Sequence, residues 1–257
     1  MIKNLYLELL KIRAARLLLR RGRARVQTLC GHSDPFFDLA RIARISHASL
    51  FIDIGCHKGD TLLRFLESGV RCRVAAFEPF AESLEKARRL LGNHDNISYY
   101  NCALSDQDGK APFHCNTNEQ TSSLLPNDTG NIASFPRDTS VQSIVEVPTV
   151  RLDTWASKAE HVSCAVIKCD TQGAEGKVVR GGLRFIREKV SAFYCEVMLG
   201  KMYFGQASFD ELRRLLEVEC GMMLRHIYPC LHDPDGRAVQ FDALWVKPAF
   251  LKHSQHD

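Results

Sequence analysis

Residues 51–59 read Phe-Ile-Asp-Ile-Gly-Cys-His-Lys-Gly, a short apolar run that carries an acid and ends in a glycine turn. A second apolar run, Ala-Ala-Phe-Glu-Pro at residues 75–79, follows after a segment that can be helical. Two parallel strands joined in this way bring Asp53 and Glu78 to the carboxyl edge of a sheet, where open α/β sheets bind their ligands. An acid at the end of the second strand can accept hydrogen bonds from the ribose hydroxyls. The stretch therefore predicts that Asp53 and Glu78 converge on a nucleoside.

The spacing of the glycines narrows the choice of ligand. A dinucleotide fingerprint needs G-x-G-x-x-G, because the pyrophosphate must lie against backbone N–H groups at a helix N-terminus. This chain has Gly55-x-x-x-Gly59 instead, which disfavours a nicotinamide-dependent dehydrogenase. A ligand with a ribose but no phosphate fits better, and S-adenosylmethionine is the common one. A strand–turn–helix with two incidental glycines is the alternative at this point.

Length and composition indicate one globular domain with a short extension. The 257 residues are 45% hydrophobic and 25% charged, as in ordinary globular proteins. We predict a basic helical extension at residues 1–30, a ligand-binding domain at 31–250 and a tail at 251–257. The ten cysteines form no C-x-x-C pair and show no zinc spacing, so no metal site is predicted from them. Because several lie in apolar runs, we expect reduced thiols in a cytoplasmic protein.

The N-terminal segment is strongly basic. Residues 1–25 carry eight basic side chains against one acid, a net +7 within a chain of net +4, so the rest sums to −3. A mildly acidic body disfavours a nucleic-acid partner. Basic residues interrupt the apolar ones throughout, so the segment matches neither a bilayer span nor a signal peptide. Two interpretations stay open: a peripheral helix on an anionic membrane surface, or a helix that packs on the domain.

Strand and helix signals alternate along the remaining chain. Strands are predicted at residues 49–54, 73–77, 97–101, 165–170, 192–197, 223–228 and 243–246, and helices at 61–68, 81–91, 175–181 and 209–220. This order implies an α/β fold with a mostly parallel sheet and helices on both faces. Residues 105–148 break the pattern with many polar turn formers, which favours a lid or binding loop over a disordered insertion.

A second informative stretch lies at residues 165–175, Ala-Val-Ile-Lys-Cys-Asp-Thr-Gln-Gly-Ala-Glu. A buried strand delivers Lys168 and Asp170 to its C-terminal end. The turn at Gly173 then begins a helix with Glu175 in its first turn, where the helix dipole favours an acid. Since this sheet edge faces the ligand crevice, Asp170 is expected in the same cleft as Glu78. A helix cap is the alternative role for Asp170.

Taken together, the motifs resemble those of the FkbM family of class I methyltransferases over about residues 49–247. They are Phe51-Ile-Asp-Ile-Gly-x-x-x-Gly, Phe77-Glu-Pro, Ala103-Leu-Ser-Asp106, Thr121-Ser-Ser-Leu124, Arg151-Leu-Asp153 and Ile167-Lys-x-Asp-x-Gln-Gly-Ala-Glu175. The resemblance implies a Rossmann-like, seven-stranded sheet with a reversed last hairpin. It also implies S-adenosylmethionine as cofactor and O-methylation, often of sugar hydroxyls, with residues 31–250 as the methyltransferase domain.

The family pattern further implies roles for single positions. The loop at Asp53 lies under the methionine part of the cofactor, Glu78 is the ribose acid, Ser105 and Asp106 lie beside the adenine, and Asp170 lies near the methyl group. The predicted cofactor-binding residues are Asp53, Gly55, Cys56, His57, Gly59, Glu78, Pro79, Ser105, Asp106 and Asp170. Where the family usually has Ala-Asn, this chain has Cys56-His57, so His57 either replaces the asparagine contact or leaves it unmade.

An oxygen acceptor needs a base for its hydroxyl proton. The candidates are Asp170, Glu196 at the end of the fifth strand, and His57; His226 lies in an apolar run and is more typical of a core histidine. A metal held by Asp170 and Glu196 is another way to acidify a hydroxyl, although no metal motif is evident. We expect a small-molecule, glycan or glycolipid acceptor. A nitrogen or protein acceptor, and a nucleoside-binding protein without catalysis, stay as alternatives.

Overall fold

The computed structural model describes residues 34–92, 94–128 and 140–251. Its centre is one large sheet whose strands run in the order β10-β11-β8-β7-β1-β2-β3, with β9 also paired to β11. The strands of this sheet are β1 (Leu50–Ile54), β2 (Arg73–Phe77), β3 (Ile97–Tyr100), β7 (Ala165–Cys169), β8 (Val190–Met198), β9 (Met223–Ile227), β10 (Leu231–His232) and β11 (Ala238–Val246). The predicted helical extension at residues 1–30 lies outside the described residues, and so does the predicted tail at 251–257 apart from Leu251, the last residue of a short helix.

The strand directions confirm the predicted class I methyltransferase-like sheet. The five strands β3, β2, β1, β7 and β8 are parallel neighbours, whereas β11 runs antiparallel to β8. Both β9 and β10 pair antiparallel with β11 on its other side, so they share the outermost of seven positions. The reversed final hairpin is therefore present, and its outer strand is split in two.

Helices cover both faces of the sheet, as the alternation of signals predicts. They are α1 (Pro35–Ile45), α2 (Asp60–Glu67), α3 (Ala81–Leu91), α4 (Leu152–Lys158), α5 (Glu175–Gly181), α6 (Leu183–Lys189), α7 (Phe209–Arg213) and α8 (Pro248–Leu251). Apolar residues of α1, α2 and α3 pack on one face around Phe51 and Val166. Residues of α4 to α7 pack on the other face around Ile52 and Ile167. Alternate residues of each buried strand thus feed two separate cores.

Residues 105–148 differ from the predicted loop. They contribute to a second sheet, in which β4 (Ala103–Ser105) and β5 (Gly109–Asn116) flank β6 (Val141–Arg151). The first six residues of β6 are exposed although Val141, Ile144 and Val145 are among them, so its apolar residues do not follow the period-2 alternation that marks a strand. Buried amide contacts stiffen the segment after β5: Asn127 Nδ2 donates to Asn116 Oδ1 over 2.9 Å. The part of the predicted loop at residues 129–139 lies outside the described residues.

The helix predicted at 209–220 is two elements in the structure. Ser208 Oγ accepts the N–H of Glu211 over 3.1 Å and so caps α7, and a π-helical turn at Arg214–Glu219 continues it. Four helices, α1, α4, α6 and α8, were not predicted from the sequence. None of the helices within the described ranges has the length and apolar character that crossing a membrane requires.

Candidate active site

A cavity of about 280 Å³ lies at the carboxyl edge of the parallel strands. Its walls come from the loops that follow β1 and β2 and from the ends of β7 and β8. The second sheet and the segment that follows β5 complete them. The polar lining side chains are His57, Lys58, Asp60, Thr61, Glu78, Ser83, Glu119, Gln120, Ser122, Lys168, Asp170, Thr171, Gln172 and Glu196, with Gly55, Cys56 and Pro79 among the others. The volume is close to the lower end for small-molecule sites.

The turn after β1 needs a glycine for two separate reasons. Gly55 has φ +74°, and a Cβ there would lie 1.9 Å from the carbonyl oxygen of Asp170. The N–H groups of Gly55 and Cys56 both donate to the Phe77 carbonyl at 3.0 Å, and Lys168 Nζ donates to the Gly55 carbonyl at 2.7 Å. These bonds join the ends of β1, β2 and β7 into one rigid floor.

Glu78 lies in the cavity wall directly after β2. Its Oε2 accepts the N–H of His57 over 3.0 Å and its Oε1 accepts the N–H of Phe80 over 2.9 Å. Burial raises the pKa of Glu78 to about 7, although these two hydrogen bonds oppose the rise. Each carboxylate oxygen keeps a second lone pair. A pair of vicinal hydroxyls can therefore bind here without displacing the protein's own hydrogen bonds.

His57 adopts a left-handed backbone, with φ +46°, and its ring lines the cavity. Burial lowers the pKa of His57, and the neighbouring Lys58 lowers it further against the opposing pull of Glu119. The imidazole is therefore mostly neutral at pH 7. Asn and His are both among the residues that tolerate this backbone, so the Asn-to-His difference noted in the sequence keeps a polar side chain that fits the turn.

Asp170 and Glu196 lie together on the opposite wall. Asp170 follows the last residue of β7, and Glu196 lies within β8 and is 5% exposed. One oxygen from each of them, and one from Glu175, lie within 4.8 Å of one another. The Nε2 atom of Gln172 lies between the first two and donates to Asp170 Oδ1 and Glu196 Oε2, each over 2.8 Å. Asp170 is the more open carboxylate, with 40% of its side chain exposed.

Asp53 corrects the prediction that two acids converge on the ligand. It is the next-to-last residue of β1 and pairs in register with Lys168 on β7. The two side chains therefore point to the same face of the sheet. Its Oδ1 lies 3.1 Å from Lys168 Nζ, and the carboxylate is fully buried. Burial alone would lower the pKa of Lys168, but Asp53 and Asp170 outweigh it and raise that pKa. Asp53 therefore fixes a buried lysine, and Lys168 reaches the cavity in its place.

Three more predicted contacts lie outside the cavity lining. Gly59 immediately precedes α2 and has φ +87°. A Cβ there would lie 3.2 Å from the Cβ of Ala87 on α3, so this glycine permits α2 and α3 to pack closely. Ser105 is buried, and its hydroxyl donates to Asp106 Oδ1 over 3.1 Å. Asp106 is paired with Lys177 at 3.2 Å. Cys102, Ala103 and Leu104 line the cavity at this end instead.

Some lining residues were not predicted from the sequence. Glu119, from the segment after β5, lies 2.8 Å from Lys58 and 3.4 Å from Lys86, and so joins three elements at the rim. Nothing in the sequence marks this acid among its polar neighbours. Gln172 belongs to a quoted motif and stands two residues after Asp170, so its place at the sheet edge was a usable signal. His226 lies on β9, outside the lining, and is exposed, so the expectation of a core histidine is wrong.

Two buried polar atoms of the lining point to a polar ligand. Within the described residues, Ser83 Oγ and His57 Nε2 have no hydrogen-bond partner. An unpartnered buried polar atom costs free energy unless water or a ligand satisfies it. Together with the carboxylates of Glu78, Asp170 and Glu196, these atoms make a lining suited to a polar ligand that carries hydroxyl groups and a positive charge.

The comparisons with known proteins agree with this geometry. The family model of the methyltransferase FkbM domain matches residues 53–222. The chain belongs to the FkbM family. The 2-O-methyltransferase NoeI of Sinorhizobium fredii (strain NBRC 101917 / NGR234) is 27% identical over 173 residues, which cover 65% of this chain and 70% of that protein.

Solved structures with a similar fold have low sequence identity. N-methyltransferase NodS from Bradyrhizobium japonicum WM9 is 10% identical, with a TM-score of 0.42 over 84% of this chain and 98% of that one. Aeropyrum pernix fibrillarin, solved with S-adenosyl-L-methionine bound, is 13% identical, with a TM-score of 0.39 over 76% and 66% of the two chains. By its family, this FkbM protein is a methyltransferase that uses S-adenosylmethionine as cofactor.

Proposed function

We propose that this protein methylates a hydroxyl of a sugar, glycan or glycolipid. The observation that carries the proposal is the pair Asp170 and Glu196, whose carboxylates share one cavity with the ribose-type acid Glu78. Carboxylates accept hydrogen bonds from hydroxyl groups, so this wall suits an acceptor rich in hydroxyls. The relative from Sinorhizobium fredii is named a 2-O-methyltransferase, which supports an oxygen acceptor.

The chain's own residues divide the cavity into two ends. Glu78 and the Gly55 turn hold the adenosyl and methionine parts of the cofactor, while Cys56, His57 and Pro79 enclose them. When bound, S-adenosylmethionine supplies a methyl group on a positively charged sulfonium. The carboxylates of Asp170 and Glu196 favour positive charge at their end of the cavity. Holding donor and acceptor in one orientation provides much of the catalysis in a methyl transfer.

Asp170 is the proposed base. The bound cofactor would supply the methyl group, and its sulfur would keep the electron pair of the carbon–sulfur bond that breaks as the acceptor oxygen forms its own bond to the methyl carbon. The hydroxyl proton passes to the Asp170 carboxylate, so a negative and a positive charge disappear together. Asp170 suits this role because 40% of its side chain is exposed, whereas Glu196 accepts hydrogen bonds at Oε1 from Gln240 and at Oε2 from Gln172.

The direct test is incubation with isotopically methyl-labelled S-adenosylmethionine and a panel of sugars, oligosaccharides and glycolipids, followed by mass spectrometry and linkage analysis. We expect label on a hydroxyl oxygen, and at least a hundredfold slower transfer by Asp170→Asn, in line with general-base losses. Label on a nitrogen or on a protein, or no transfer to any hydroxyl, would contradict the proposal. Glu85→Gln on the exposed side of α3 is a matched acid-to-amide control.

We infer a cytoplasmic location for the reaction, with residues 1–25 in contact with an anionic membrane surface. The basic and apolar composition of that segment supports the inference. Deleting residues 1–25 should reduce sedimentation with vesicles that contain phosphatidylserine and leave cofactor binding intact. Equal sedimentation of both forms would remove the membrane contact from the proposal.

A further inference from the structure

Gln172 occupies a position that a glutamine does not adopt readily. It has a left-handed backbone with φ +56°, and its side chain is buried in the cavity wall, 7% exposed. Residues other than glycine are uncommon in this region of φ/ψ space, and such outliers collect at functional sites. The fold gains something specific from this side chain that a glycine at the same position would not supply.

The contacts of Gln172 identify that gain. Its Nε2 donates to Asp170 Oδ1 and to Glu196 Oε2, each over 2.8 Å, and thus satisfies one oxygen of each carboxylate. Two carboxylates this close repel each other. An amide NH₂ group carries two hydrogens, so it can donate to both acids at once and hold them together against that repulsion.

The other side of the amide is also fixed. Gln172 Oε1 lies 3.2 Å from the hydroxyl of Tyr203, and that hydroxyl lies 2.7 Å from the Thr121 carbonyl. The Gln172 carbonyl accepts the hydroxyl of Ser123 over 2.7 Å. The segment after β5 and the loop that follows β8 thus hold the glutamine, and the glutamine holds the two acids.

We propose that Gln172 is a positioning residue that holds the carboxylates of Asp170 and Glu196 as a fixed pair, so that the cavity prefers the positively charged methyl donor over its neutral product. The inference rests on the proposed placement of these acids at the methyl end. It adds to the base role of Asp170 an explanation for product release: the neutral thioether gains no attraction from the pair. It also keeps the Asp170 carboxylate oriented for proton transfer.

The test compares two ligands that differ in charge. S-Adenosylhomocysteine is the neutral thioether, and sinefungin carries an amine, positively charged at pH 7, near the place of the methylated sulfur. Calorimetry measures the dissociation constants of both for the full chain and for Gln172→Met, which keeps the volume and the backbone cost but removes the donor. We expect the preference for sinefungin to fall about tenfold, the effect of one hydrogen bond to a charged group, while affinity for the thioether stays within about twofold.

A matched control and a double mutant decide the mechanism. Gln240→Met removes the donor to Oε1 of Glu196 only, and should keep most of the preference. In an Asp170→Asn background, Gln172→Met should have little further effect, because the pair is already broken. An unchanged preference in Gln172→Met, an equal loss in Gln240→Met, or additive losses in the double mutant would each overturn the inference.

Two features keep this test separate from other failures. If Gln172→Met does not fold, Gln172→Asn serves in its place, since Asn tolerates the left-handed backbone and is too short to bridge both acids. The ligand preference needs no acceptor, so a failed search for a methylated hydroxyl would contradict the proposed function and leave the preference measurable. Where an acceptor is found, a lowered kcat at saturating S-adenosylmethionine, together with a weaker affinity for that cofactor, is the further expected result.

Discussion

Lys168 Nζ lies 3.1 Å from Asp53 Oδ1, and both side chains are buried: that of Lys168 is 4% exposed and that of Asp53 is 0% exposed. The same Nζ donates to the carbonyl of Gly55 over 2.7 Å. The ion pair therefore links strands β1 and β7 to the turn at Gly55, which follows β1. Removing one partner of a buried pair leaves an uncompensated charge, which costs more than removing both.

Lys168→Met should consequently destabilise the protein by about 3–5 kcal/mol, measured by chemical denaturation. The double variant Asp53→Leu/Lys168→Met should recover most of that loss, because no buried charge remains. Cofactor binding should stay weakened in the double variant, since the Gly55 carbonyl still lacks its donor. Full recovery of binding would show that Lys168 acts only on Asp53.

Glu78 should make cofactor affinity depend on pH. Burial raises its pKa to about 7 in the free protein, and the ribose hydroxyls donate to the ionised carboxylate. Below pH 7 the carboxyl must lose a proton before it binds, so affinity for S-adenosylmethionine should fall by up to about tenfold per pH unit. Calorimetry between pH 8 and pH 5.5 measures this slope.

Two variants test whether Glu78 causes the slope. Glu78→Gln should bind weakly at all pH values, with a flat profile, and Glu78→Ala should abolish the thermal shift caused by the cofactor. Glu175→Gln should keep the wild-type profile, because Glu175 does not line the cavity although burial also raises its pKa to about 7. A flat wild-type profile would contradict a role for Glu78 in ribose binding.

Residues at the ends of strands could be located from the sequence. Residues whose role depends on a partner far away in the chain could not. Glu78 follows the last residue of β2, and Asp170 that of β7, and both line the cavity as predicted from strand ends. Asp53 comes one residue before the end of β1, so the pleat turns it toward Lys168. The predicted end of β1 at residue 54 agrees with the structure, so the error concerned the face of the strand on which Asp53 lies.

The contacts of Gln172 and Glu119 were harder to foresee for a different reason. Gln172 meets Tyr203, Glu196 and Ser123, which are 24 to 49 residues away in the sequence. Such contacts depend on how residues 105–148 fold, and that stretch gives weak periodic signals because β6 is exposed over its first six residues. Sheet order follows from local patterns, whereas side-chain networks between insertions require the tertiary structure.

Glu175 should make the stability of the free protein fall as pH rises. Its pKa is raised to about 7 by burial, against hydrogen bonds from Thr171, so the folded state holds a proton that the unfolded state releases near the ordinary glutamate pKa of 4.5. The contribution of Glu175 to the free energy of unfolding is complete below its pKa in the unfolded state, and it is lost as pH rises through about 7. Glu175→Gln should remove up to about 3 kcal/mol of this dependence between pH 5 and 9.

The Gln side chain at position 175 can still accept from Thr171, whose N–H and hydroxyl lie 2.7 and 3.0 Å from Glu175 Oε1. Denaturation of both proteins across the pH range gives the difference in slope, in which groups common to both cancel. If the two proteins lose stability in parallel, Glu175 is not the group that titrates.

The Gly55 turn offers a test in which backbone strain and steric clash can be separated. Gly55 and Gly69 have nearly the same φ, +74° and +78°, yet a Cβ on Gly55 would lie 1.9 Å from the Asp170 carbonyl oxygen, whereas none of the described atoms lies within 4 Å at Gly69. Gly69→Ala should cost about 1–2 kcal/mol for the left-handed backbone alone, which lowers the melting temperature by a few degrees.

Gly55→Ala carries the same backbone cost and must also displace the end of β7. It should therefore be less stable than Gly69→Ala and should lose cofactor binding, whereas Gly69→Ala should bind normally. Equal melting temperatures and equal dissociation constants for the two variants would mean that the turn relaxes freely and does not hold Asp170 in place.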